Sequence, residues 1–218
     1  MRQRDGEQFR AIFLSADDLP DALQLVDEQM DTEVDPAVPN WPLDTPFGVI
    51  QLARPLSGGG RISPPFGVHV EPEDVIVERY RQALHRYGCL RSGFRRWRGQ
   101  GELYHVVDIH WLCNRADGAA GLHRASLESG QVWTLGAENA RARQGFPGTD
   151  VCSWTQPRMT MSGGTMGHTV QFTCGPVVAH LHMDADYRYG GAEDVVSRAA
   201  ERIQQVVRQR SGWRRLFS

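Results

Sequence analysis

Apolar and polar positions divide the chain into three unequal stretches. Residues 9–30 read as a short apolar lead and then a helix. Asp17 and Asp18 supply an acidic first turn, Pro20 sits just inside it, and Leu19, Leu23, Val26 and Met30 recur at helical spacing. Residues 31–70 lose that periodicity. They hold seven prolines and Gly58-Gly59-Gly60, the pattern of a long irregular excursion. Order returns with Pro72-Glu73-Asp74, which opens a helix carrying Val75, Ile76, Tyr80, Ala83, Leu84 and Tyr87 on one side, with Gly88 as its stop.

The remainder alternates strands with helices. A strand near 90–98, a turn at Gly99-Gln100-Gly101 and a strand over 102–113 form a hairpin, with Leu103, Val107, Ile109 and Trp111 on one face of the second strand. Asn114 or Asp117 caps a small helix reaching about Leu127, whose alanines and glycines suit close packing. Residues 131–150 are weakly patterned. Strands near 151–161, 168–174 and 177–186 follow, joined at Ser162-Gly163-Gly164 and Gly175-Pro176. Val195, Ala199, Ile203 and Val206 then mark a final helix over about 192–209, its wet side covered by Glu201, Arg202, Gln204 and Arg208. Tight turns pair strands antiparallel, so the expected class is α+β. It is a single domain over 1–218, an antiparallel sheet of hairpins covered by helices, with room for two related helix–hairpin halves.

Composition changes this picture mainly by exclusion. The 218 residues include 24 basic and 26 acidic side chains, a formal net charge of −2 that gives no electrostatic footprint for nucleic acid. Every basic residue is arginine. Without lysine there is no Schiff-base chemistry, no covalent pyridoxal attachment and no phosphate-loop lysine. No cofactor motif is found: there is no G-x-S-x-G, H-E-x-x-H or strand-borne G-x-G-x-x-G. No segment approaches the length of apolar chain that spans a bilayer, and the first residues lack the apolar run of a signal peptide. The expectation is a cytoplasmic protein, or an exported domain whose leader is not in this sequence.

Four cysteines bear on that choice. Residues facing each other across a hairpin lie symmetrically about its turn. A turn near Gln100 therefore sets Cys89 within about two residues of opposing Cys113, and one at Gly163-Gly164 does the same for Cys152 and Cys174. Disulfides Cys89–Cys113 and Cys152–Cys174 are expected on this register and would imply folding outside the reducing cytosol; four reduced, buried thiols are the alternative.

Candidate chemistry is sparse. His180, His182 and Asp184 alternate along one strand, so their side chains share a face, as does Asp186. Two imidazoles and two carboxylates could serve a divalent metal, yet the further histidines of the known H-x-H metal motifs are missing and no metal is expected. His110 and Asp108 share a face of the 102–113 strand, where a general-base pair could be built. Arg91 to Arg98 holds four arginines with Phe94 and Trp97, and Trp213 to Phe217 forms a basic aromatic tail.

Three stretches resemble actinobacterial exported domains, namely lipoproteins and the extracellular sensor domains of receptor kinases. They are Leu14-Ser15-Ala16-Asp17-Asp18-Leu19-Pro20, the passage Val106 to Leu127 with Gly118-Ala119-Ala120, and Val170 to Val178 through Cys174-Gly175-Pro176. The resemblance implies a disulfide-stapled, extracytoplasmic α+β domain that binds a ligand without catalysis. A small apolar molecule, a glycolipid or a protein partner would then meet Trp41, Phe47, Phe66 and Trp97. The alternative is a cytoplasmic natural-product enzyme of cyclase or isomerase type. Its shaped apolar pocket would use His180, His182 and Asp184, or His110 with Asp108.

Overall fold

Residues 2–19, 23–33, 82–99, 105–128, 141–142, 149–155, 168–184 and 192–209 are described by the computed structural model. Trp41, Phe47, Phe66, Asp186, nearly all of the 31–70 excursion, the start of the helix expected from Pro72 and the Trp213–Phe217 tail lie outside them. The elements are α1 (Arg2–Arg10), a 3-10 turn at Ala16–Asp18, β1 (Gln24–Glu33), β2 (Cys89–Arg98), β3 (His105–Cys113) and α2 (Ala116–Glu128). They continue with β4 (Arg141–Ala142), β5 (Val151–Thr155), β6 (His168–Cys174), β7 (Val177–Asp184) and α3 (Ala192–Gln209). A short helical stretch at 82–86 precedes β2.

The seven strands form one antiparallel sheet in the order β1-β2-β3-β7-β6-β5-β4, which bears out the α+β class. Helices lie on both faces. On the front, α1, the 9–14 segment and α3 enclose a core that includes Phe9, Phe13, Leu14, Trp97, Phe172, Leu181 and Ile203. On the back, Leu84 and α2 cover Phe94, Val107, Ile109, Trp111 and Val178. Covering both faces explains why every residue from Val106 to Cys113 is buried, polar ones included.

The first long element departs from the sequence reading. Leu19, Leu23, Val26 and Met30 have helical spacing, yet Ala16–Asp18 makes only one 3-10 turn and Gln24–Glu33 is a strand. The reason lies in its partner. β1 is acidic where β2 is rich in arginine, and the register pairs Asp27 with Arg96, Glu28 with Arg95 and Glu33 with Arg91. Glu28 meets Arg95 and Asp27 meets Arg96, each at 3.2 Å. Such half-exposed pairs contribute about 1 kcal/mol or less each, but directly opposed like charges would penalise any other register.

Three glycines are required by local geometry. Gly88 has φ 64° and ends the helical stretch before β2, its carbonyl accepting from the Asn114 N–H at 2.9 Å. On α2, Gly118 and Gly121 leave no room for a methyl, because Tyr87 packs directly against them. That close approach is what the small-residue composition of α2 led us to expect.

Candidate functional site

Alternation along β3 points Val106, Asp108, His110 and Leu112 to the front, between α1 and the sheet. Asp108 and His110 are both completely buried, and Asp108 Oδ1 lies 2.6 Å from His110 Nε2. The other carboxylate oxygen, Oδ2, accepts the Leu14 N–H at 2.8 Å. The carboxylate is thus fixed by a backbone donor from a segment 94 residues away, and its free edge is turned to the imidazole. The Nε2–Oδ1 approach is short but poorly aligned for a hydrogen bond.

Small neighbours make room around this imidazole. Gly93 on β2 and Ala179 on β7 are the residues opposite His110. Phe13 fills the space above, stacked on the His110 ring with centroids 4.4 Å apart and planes 19° from parallel. The Arg95 guanidinium lies 5.9 Å from the other aromatic centre, Phe13, and donates to the Leu14 carbonyl at 2.7 Å. Arg95 stands opposite Asp108 in the strand register. The pair is therefore closed into the front core against Phe13, Leu14 and two nearly side-chain-free strand positions.

A second anchor holds the same segment from the C-terminal helix. Arg202 donates from Nε to Asp18 Oδ2 at 2.5 Å, from one terminal nitrogen to Ser15 Oγ at 2.6 Å, and from the other to the Ala11 carbonyl at 3.3 Å. Burial pushes the Asp18 carboxyl up, but the hydrogen bonds from Ser15 and Arg202 outweigh it and hold Asp18 below its ordinary value. A surface cleft of about 320 Å³ opens beside Arg202, bounded by Asp18, Arg198, Glu201 and Gln205. With the Arg202 guanidinium already committed, this cleft is a clamp on the 11–18 segment.

The histidines of β7 face the other way. His180 stands opposite Ile109 and Gln171 on the back of the sheet, 1% exposed, with Trp111 edge-on at 6.5 Å. Burial pushes its pKa down to about 4, so it is neutral. β7 is central in the sheet and α2 covers its back, so His180 is closed off from solvent. His123 of α2 is also pushed down by burial, and its Nε2 meets the Gln171 carbonyl at 3.2 Å. Asp108 and His110 thus cannot join His180 and His182 in one site. Trp97 is likewise no exposed ligand contact, being 4% exposed within the front core. Among the described side chains, no three His, Cys, Asp or Glu residues gather as a metal would require.

Both cysteine pairs fall within the two residues of opposition expected from the turns, one of them directly opposed. Cys89 is directly opposite Cys113, whereas Cys152 opposes Phe172, so Cys174 is displaced by one diagonal step. All four are free thiols in the structure and all are buried. Burial raises the Cys89 thiol well above its ordinary value, with neighbouring Cys113 adding to the effect. Burial, with Asp150 and Cys152 nearby, pushes Cys174 up to about 12.

No family model and no solved structure matches the chain. A curated protein does. Over 155 residues the chain is 30% identical to the polyketide synthase GfsB of Streptomyces halstedii. The matched stretch is 68% of this chain and spans 3% of the length of that protein.

The sequence pointed to Asp108 and His110 through their spacing, but their walls were missed. Phe13, Leu14 and Arg95 are distant in sequence, and only the same-face pairing of Arg95 with Asp108 in a correctly registered hairpin could have revealed one of them.

Proposed function

We propose that this chain is an acid–base enzyme of the cyclase or isomerase type, acting in natural-product assembly on an apolar acyl substrate. The observation that carries the reading is the buried Asp108–His110 pair, its carboxylate fixed by the Leu14 N–H. A base held beside a carboxylate in a dry interior is suited to removing a proton α to a carbonyl. His110 takes the proton, Asp108 stabilises the resulting imidazolium, and Arg95 positions the wall that holds both. The similarity to a polyketide synthase supports a substrate of polyketide type, a β-ketoacyl thioester being the simplest member of that class.

In this reading Phe13 occupies the face of His110 that substrate would use. Exposing one phenylalanine costs about 3 kcal/mol at most, which lowers apparent affinity roughly 150-fold. An apolar substrate that buries its own surface in the same place recovers that cost. Exchange of the α-protons of acetoacetyl-N-acetylcysteamine into deuterium oxide, followed by NMR, tests the reading. The wild-type chain should catalyse exchange and His110→Gln should not. Exchange no faster than in buffer, or equal in both proteins, would refute it.

A second reading is favoured by the opposition of Cys89 and Cys113. It makes the chain an extracytoplasmic binding domain for a small apolar ligand, a glycolipid or a protein partner, in keeping with its resemblance to exported lipoprotein and sensor domains. Intact mass after alkylation of protein purified away from air separates the two. A protected Cys89–Cys113 pair supports the exported domain, and four alkylated thiols remove its support.

A further inference from the structure

The segment that roofs the Asp108–His110 pair stands outside the hydrogen-bonded ladder of the sheet. Ala11, Ile12 and Phe13 donate their amides to the carbonyls of Glu7, Phe9 and Arg10, closing on the end of α1. The Leu14 and Ser15 amides donate to the carboxylates of Asp108 and Asp18. None of these five amides donates to a strand backbone, so residues 11–15 can lift without unzipping a strand. They are held down by the burial of Ile12, Phe13 and Leu14, by the Asp108 and Arg95 bonds at Leu14, and by α3.

The hold of α3 comes mainly through one side chain. Arg202 grips both ends of the segment, donating to the Ala11 carbonyl and to Ser15 Oγ, and its Nε donates to Asp18 Oδ2 just beyond. The same Asp18 oxygen accepts from the Ser15 N–H and hydroxyl, both at 2.7 Å. All three guanidinium nitrogens are thus committed to residues 11–18, which makes the contact directional as well as charged. The two attachments differ in exposure. The Arg202 and Asp18 side chains are 30% and 19% exposed, whereas those of Asp108 and His110 are 0% exposed. Water competes at the α3 attachment and is shut out of the other.

We propose that residues 11–15 are a gate over the Asp108–His110 pair and that Arg202 is its latch, a positioning residue that sets how often Phe13 leaves the His110 ring. Closed, the gate keeps Phe13 stacked on the imidazole, 4.4 Å between centroids, with both ring nitrogens buried. Open, it bares the imidazole while the seven-stranded sheet stays paired. As an entrance for substrate the gate rests on the acid–base reading; as a motion it does not. Lid motions of this kind occur in microseconds to milliseconds, and a minor open population admits ligand in proportion to its abundance.

Carbethoxylation of histidine by diethyl pyrocarbonate, mapped by peptide mass spectrometry on the full chain, tests this. His110 reacts only when bared, and His180, buried on the other face, reports any wider unfolding. Arg202→Gln should speed labelling of His110 at least tenfold and leave that of His180 unchanged, with Arg202→Lys in between. Asp18→Asn should also speed it. The double variant should fall short of the product of the two effects, because both substitutions remove one contact. His110 labelled at the wild-type rate in both Arg202→Gln and Asp18→Asn, or faster only in step with His180, would overturn the latch. Acetoacetyl-N-acetylcysteamine should slow labelling of His110 in the wild type. If it does not, while Arg202→Gln still labels faster at His110 alone, the acid–base reading falls and the gate stands.

Discussion

The Leu14 N–H donates to Asp108 Oδ2 across 94 residues of sequence, tying the N-terminal segment to the central strand at the point where Asp108 meets His110. The bond does two things at once. It satisfies a buried carboxylate, and it fixes which oxygen faces the imidazole. Removing the acceptor should therefore cost stability as well as chemistry. Asp108→Ala leaves a buried donor and a buried imidazole unpaired, an expected loss of about 3–5 kcal/mol. Asp108→Asn keeps an acceptor for Leu14 and should lose about 1–3 kcal/mol. Urea unfolding of the two variants checks the order.

Acid should destabilise the fold well before the carboxylates titrate. His180 has its pKa lowered by burial to about 4, from an ordinary value of 6.5. Between these values the unfolded chain binds a proton that the folded chain refuses, so stability falls as pH drops through that window. From pH 7 to pH 5 the contribution of His180 is about 2 kcal/mol, and His123, lowered for the same reason, acts in the same direction. His180→Gln should flatten this dependence. An unchanged slope in that variant would show that His180 is charged or solvated in the native state.

Gly121→Ala should destabilise, contrary to the usual gain from alanine within a helix. Tyr87 occupies the space a methyl would need, so the ring or the helix must shift, at about 1–3 kcal/mol. Replacing Tyr87 by leucine in the same chain should recover part of the loss. A melt of Gly121→Ala at or above that of the wild type would contradict the packing.

Oxidation should distinguish the two cysteine pairs. Cys89 is directly opposite Cys113, while Cys152 faces Phe172 and is diagonal to Cys174. Oxidised glutathione should form Cys89–Cys113 at least tenfold faster than Cys152–Cys174, read by peptide mapping, since directly opposed positions lie nearer disulfide distance. Raised thiol pKa values at Cys89 and Cys174 predict slow reaction for both pairs at neutral pH.

Much of the fold is legible from residue pattern alone. The stripe through Val195, Ala199 and Ile203 marks α3 at Ala192–Gln209, and the Gly175-Pro176 turn delimits β6 and β7. β1 is not legible locally, because the strand is selected by the arginines of β2 nearly 70 residues later, against the helical spacing of Leu19, Leu23, Val26 and Met30. The site shows the same division. The i, i+2 spacing of Asp108 and His110 gives a shared face, but no local pattern says that Phe13 and Leu14 will roof it. Register errors of two residues matter just as much, as Cys152 shows: such a slip preserves the face and changes the partner.

The most direct test of the acid–base account compares two substitutions that touch the same imidazole from different sides. Phe13→Leu removes the stacked ring and keeps an apolar wall, while His110→Gln removes the base and keeps a polar side chain of similar length. Deuterium wash-in at the α-carbon of acetoacetyl-N-acetylcysteamine should be faster in Phe13→Leu than in the wild type. It should be slower in His110→Gln by about 10²–10⁴-fold, the usual contribution of a positioned general base. Equal rates in all three proteins would contradict a catalytic role for His110 and leave the Asp108–His110 pair as a tie between the N-terminal segment and the sheet.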